Sequence, residues 1–117
     1  MRAERHSIPV TTDASGAATV YSSNISGRLH SLSYLKTDFA DGVDFTITLE
    51  RTGQSVWTHT NINASETVYP VAAANLGTTG HASTLSEIPI VAANDRLKII
   101  VAAGGNVKSG TFDLVIS

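Results

Sequence analysis

Apolar and polar residues alternate along most of this chain with a period of two. That is the spacing of side chains on a β-strand with one face in a core and the other in water. The pattern is cleanest from Val43 to Glu50, where Val43, Phe45, Ile47 and Leu49 fall on one side and Asp44, Thr46, Thr48 and Glu50 on the other. The turn residues Arg51-Thr52-Gly53-Gln54 follow, then Ser55 to Thr58, so Val43 to Thr58 reads as a β-hairpin. Near the C-terminus Leu97, Ile99 and Val101 share one face with Ile100 on the other, and Phe112, Leu114 and Ile116 align in the last segment. The Gly-rich stretch Gly104 to Gly110 joins them, which predicts a second hairpin, central because its strands are the most apolar. In Gly27 to Lys36 the same period places Leu29 on one face and His30, Leu32 and Tyr34 on the other.

The rest is less regular. His6 to Thr12 contains Pro9, which suits an edge strand or an N-terminal arm over residues 1–12. Asp13-Ala14-Ser15-Gly16 is a turn, followed by a short strand over Ala17 to Ser23. Residues 60–87 form a long excursion, and structureless loops of that length are uncommon in compact domains. A short strand around Val68 and then a projecting loop are expected, with Ile88 to Asn94 bringing the chain back. No segment longer than a turn or two has helical periodicity. The prediction is all-β: one antiparallel β-sandwich domain over residues 1–117, of about seven or eight short strands. A jelly-roll strand order is equally allowed.

Composition narrows the function classes. Hydrophobic residues make up 42% of the 117, enough for a packed core. Charged residues are 15%, against roughly 25% in ordinary soluble domains, with serine and threonine in their place. The formal net charge of −2 offers no basic stripe for nucleic acid and little repulsion between copies. There is no cysteine, so disulfides and thiolate metal sites are excluded. The N-terminal residues lack the apolar run of a signal peptide, and no transmembrane segment is expected. Cytoplasmic synthesis without membrane partners is the expectation.

Candidate chemistry is sparse. Asp38, Asp41 and Asp44 crowd one short stretch, but without the D-x-D-x-D-G spacing of a calcium loop. Turn and strand roles account for them: Asp38 caps, Asp41-Gly42 turns and Asp44 faces water. His6, His30, His59 and His81 show no paired ligand spacing. No G-x-S-x-G elbow accompanies the many serines. The glycine-rich Ala102 to Gly110 precedes a strand and lacks the order of a phosphate loop. No catalytic residue, cofactor or metal is assigned, and the chain is expected not to be an enzyme. Trp57, inside a strand, is expected in the core, whereas Tyr69-Pro70 in the long excursion is the better exposed contact.

The order of the pieces resembles small structural proteins of tailed bacteriophages. The residues that carry the resemblance are Tyr34 with Asp38 to Asp44, Tyr69-Pro70, Thr78 to Gly80 and Gly104 to Gly110. The resemblance implies a virion component, a capsid decoration or cement protein that stabilises the head by symmetric contacts. A neck, collar or tail part and a carbohydrate- or receptor-binding module are the alternatives. It implies the major capsid protein or other virion proteins as partners, and homo-oligomerisation. The candidate interface residues are Arg2, Arg5, Ile8, Pro9 and Val10 of the arm, with Tyr69 and Pro70 of the excursion.

Overall fold

A computed structural model describes residues 3–75 and 82–117, with side chains described for 3–71 and 90–117. It contains β1 (Glu4–Thr11), β2 (Ala18–Tyr21), β3 (Ile25–Lys36), β4 (Val43–Leu49), β5 (Ser55–Ile62), β6 (Glu66–Val68), β7 (Val71–Asn75), β8 (Ala82–Pro89), β9 (Val91–Asp95), β10 (Leu97–Ala102) and β11 (Ser109–Ile116). One sheet has the order β1-β11-β3-β6, with β9 also paired to β3; a second has the order β2-β10-β4-β5. All pairings are antiparallel. The protein is an all-β sandwich, as its periodicity predicts.

The strand count exceeds expectation for an identifiable reason. β6 pairs with Leu32 to Tyr34 and β9 with Ile25 to Arg28, both along the same side of β3 and in the same direction. They are two halves of one edge strand, interrupted by the β7–β8 hairpin, which forms a two-stranded sheet of its own. Setting the hairpin's two strands aside and counting β6 and β9 as one leaves eight of the eleven. Renumbered one to eight, the sheets run 1-8-3-6 and 2-7-4-5, the strand order of a jelly roll. The short strand expected near Val68 is β6. The expected projecting loop instead contains β7 and β8, while Thr78 to Gly80 and His81 lie outside the described residues.

The core lies between the sheets. From one side come Phe45, Ile47, Leu49, Leu97, Ile99 and Val101, and from the other Leu32, Tyr34, Phe112, Leu114 and Ile116. An aromatic cluster holds its middle: Phe45 lies 4.6 Å from Tyr34 and 4.8 Å from Phe112, both edge-on, the arrangement that ring quadrupoles favour. Trp57 reaches this cluster half-buried, 5.9 Å from Phe45, so it packs at the core's edge as expected. The Tyr34 hydroxyl is buried without a hydrogen-bond partner among the described residues. Desolvation first, then the charges of Asp38 and Asp41, push its pKa up to about 12.

Two sequence expectations are corrected here. The first hairpin forms as predicted, β4 against β5. The second does not: β10 pairs with β4 and β2 in one sheet, β11 with β1 and β3 in the other. The Gly-rich stretch between them therefore crosses from one sheet to the other. Both strands are central, but they face each other across the core. The second correction concerns β3. Its register against β11 steps from Ser31–Val115 to Leu29–Ile116, leaving one extra residue at His30. This bulge reverses the alternation, so Leu29 and Leu32 both point inward and His30 is exposed.

Candidate interaction surface

Next to the same bulge, three exposed apolar side chains come near one another on the surface. Beside it the edge strand is interrupted: β6 ends at Val68, the chain leaves through Tyr69 and Pro70 into β7, and it returns through Ile90. Pro70 and Ile90 are buried, and the Leu29 amide donates to the Ile90 carbonyl at 2.9 Å, so the gap is stitched to the sandwich. The residues flanking these anchors are turned outward. Tyr69 is 65% exposed, Val71 47% and Val91 62%. His30 packs its ring edge-on to Tyr69 with centroids 6.0 Å apart, and Val91 lies opposite Arg28 in the β3–β9 register. A shallow depression of about 280 Å³ runs between Arg28, His30, Tyr69 and Val71. Tyrosine and arginine are residue types enriched at protein interfaces, and here two exposed valines lie beside them.

The predicted contact residues are divided by the fold. Tyr69 is on the surface as expected, whereas Pro70 is buried and makes no outward contact. The N-terminal arm is instead edge strand β1. Ile8 and Val10 are 6% and 1% exposed, spent on the chain's own core, so they are not interface residues. Arg5 and Pro9 are exposed on the other face of β1, with Arg5 Nη1 3.3 Å from Asp113. Arg2 lies outside the described residues. Sequence reasoning missed Val91, Arg28 and His30: nothing in their spacing signals the bulge or the split strand that gathers them around Tyr69.

The three aspartates do not converge. Asp38 accepts from the Ser109 amide, Asp41 pairs with Lys36, and Asp44 accepts from the Asn61 amide at 2.9 Å. Each carboxylate fastens a different piece of backbone or side chain. No group of three potential metal ligands occurs among the described residues. Sequence distance hides one other approach. Ser23 Oγ lies 3.4 Å from His6 Nδ1, and His6 Nε2 lies 3.6 Å from Glu4. The first exceeds the roughly 2.6–3.2 Å usual between a nucleophile and its base, and Ser23 and Glu4 are in open solvent.

Comparison with known proteins identifies no family. No family model matches the chain, and no curated protein does. Among solved structures it aligns with one described as "Crystal Structure of FLHE", covering 97% of this chain and 96% of that one, at 12% identity and a TM-score of 0.46. That level of similarity assigns neither family nor activity. The expectation of a phage capsid decoration protein is corrected accordingly. The structure named above is not described as a phage protein and no family model or curated protein matches, so nothing found supports the phage reading of the function or its neck, tail and receptor-binding alternatives.

Proposed function

We propose that this protein is a non-catalytic interaction domain that contacts another protein through the surface formed by Arg28, His30, Tyr69, Val71 and Val91. The observation that carries the reading is the outward placement of Tyr69, Val71 and Val91 around a buried Pro70–Ile90 anchor. A rigid scaffold presenting an exposed aromatic is how interface hot spots are built. The low share of charge, 15%, fits a surface meant to be covered.

A photo-crosslinking residue placed at position 69 or 91, in cells that make the protein, tests this. Discrete covalent adducts are expected from both positions and not from position 52, in the β4–β5 turn. Equal labelling from all three positions, or none from 69 and 91, would remove the proposal.

A further inference from the structure

We propose that β2 is a self-pairing edge, through which a second copy of this chain adds its own β2 to make a two-fold dimer. The surface is distinct from the one around Tyr69. Of the sandwich's outer strands, three carry a device that obstructs strand addition. In β1, the Thr12 amide donates to Lys108 at 2.8 Å, which sets the phase of the ladder and turns the backbone of Pro9 outward, where it offers no donor. β5 is interrupted by two register shifts against β4, and its Asn61 has a φ of 56°. The β6–β9 edge is split by the hairpin and shifts register again between Ile25 and Gly27.

β2 has none of these three, and its one guard is its length of four residues. Its four residues, Ala18, Thr19, Val20 and Tyr21, include no proline, charge or bulge, and their register against β10 is unbroken. The Ser22 amide donates to Leu97 at 3.0 Å, which fixes the phase here too. Ala18 and Val20 direct their backbone groups at β10, so Thr19 and Tyr21 direct theirs outward. Among the described residues β2 has no ladder partner besides β10. Beside it a groove of about 520 Å³ lies open between β2 and β1, bordered by His6, Ile8, Pro9 and Val20.

An unpaired strand edge accepts an extended strand, and the chain's own β2 fits by symmetry. With a two-fold axis through Val20, Thr19 faces Tyr21 of the partner subunit and Tyr21 faces Thr19 of the partner subunit. Four backbone N–H···O=C bonds then form across the axis. No charge within residues 18–21 meets its like, and the net charge of −2 adds little repulsion. The pairing consumes both edges, so it closes as a dimer and does not propagate. With only four residues a side, the dimer is weak and depends on concentration.

Sedimentation velocity of the full chain, from low micromolar to millimolar, is the test. Wild type is expected to shift from monomer to dimer, with the Thr19 and Tyr21 amides gaining hydrogen-exchange protection at the high end. Thr19→Pro removes an outward N–H that the β10 ladder does not use, so the fold survives while association weakens about tenfold. Thr19→Lys sets two ammonium groups across the axis and serves if the proline variant does not fold. A monomer at every concentration would overturn the inference, as would a dimer indifferent to both variants. A dimer abolished by Tyr69→Ser and kept by Thr19→Lys would move self-association to the other surface and equally sink the β2 reading. Loss of the crosslinks from positions 69 and 91 would leave the β2 result untouched.

Discussion

Two connections in this molecule look alike as text and differ in the fold. Both join alternating apolar strands through a short glycine-containing stretch: Glu50 to Gln54 between β4 and β5, and Ala103 to Lys108 between β10 and β11. The first closes on itself only in part: its Glu50 and Arg51 amides donate to the Arg96 carbonyl and the Asp95 carboxylate, at 2.9 Å each, while its other bonds are internal. The Leu49 amide donates to Gln54 at 2.9 Å, the Gly53 amide donates back to Leu49 at 2.9 Å, and nothing lies within 4 Å of where a Gly53 side chain would start. The second is fastened to other parts of the chain. The Gly104 amide donates to Gly16 at 2.9 Å, the Val107 amide to Asp13 at 3.0 Å, and the Ala40 amide to Gly104 at 2.9 Å. Thr12 adds its hydroxyl, which donates to the Gly105 carbonyl at 2.7 Å and accepts from the Lys108 amide at 2.9 Å. A hairpin turn satisfies part of its own backbone, where its two strands pair. A connection that leaves one sheet for the other cannot, because its two strands no longer pair. It must find partners elsewhere, and here the β1–β2 turn supplies them.

That difference predicts a graded response to substitution. The largest effect belongs to Gly16→Ala, at a φ of +83° where an added Cβ would stand 2.8 Å from the Gly105 nitrogen. Backbone meets backbone there and neither yields, so a loss of about 3 kcal/mol is expected in urea denaturation. Next comes Thr12→Val, which keeps the side chain's shape but leaves the Gly105 carbonyl and the Lys108 amide without their hydroxyl partner. About 2 kcal/mol should be lost, because Thr12 is 3% exposed and water does not replace the hydroxyl freely. In the β4–β5 turn, Gly53→Ala meets open space and suffers only from its φ of +74°, for about 1 kcal/mol. If Gly53→Ala proved as damaging as Gly16→Ala, the contrast between the two connections would fail.

The smallest expected effect is a pH dependence at the β1–β2 turn. The Asp13 carboxylate accepts from the Ser15 hydroxyl at 2.7 Å, the Ser15 amide at 2.9 Å and the Ala17 amide at 3.1 Å. The Ser15 hydroxyl foremost, then these amides, hold its pKa below the ordinary aspartate value. A carboxyl depressed on folding stabilises the fold above its unfolded pKa and loses that contribution as pH falls through the folded value. Thermal melts of wild type and Asp13→Asn should therefore differ near neutral pH and converge in acid. A gap that stays constant down to the most acidic conditions would exclude the carboxylate as its source.

The split edge strand carries the same lesson to the proposed contact surface. Val71 and Val91 are 20 positions apart in the chain, and both flank the place where the β7–β8 hairpin leaves and rejoins the sandwich. Tyr69 was legible as a candidate because an aromatic beside a proline in a poorly patterned stretch stands out. His30 and Arg28 were not. The periodicity of β3 put His30 on the face of Leu32 and Tyr34, and only pairing with β11 shows that one residue is bulged out.

By itself the sequence determined the class of the fold and most of its core. Period-two alternation is a local property, because a strand's side chains point up and down whatever lies beside it. Hence Val43 to Leu49, Leu97 to Val101 and Phe112 to Ile116 were placed correctly with no knowledge of their neighbours. Pro9 on an edge was legible for the same reason, since a missing donor is written in the residue itself. Only the tertiary structure decided which strands pair. β10 and β11 have the pattern of a hairpin, and their turn is rich in glycine, but the same pattern serves two strands facing each other across a core. What distinguishes the cases is where the connecting backbone finds its hydrogen bonds, and those partners at Asp13, Gly16 and Ala40 are remote in sequence. The bulge at His30, the divided edge strand and the open edge of β2 are likewise properties of pairs of strands, and no single stretch of sequence contains them.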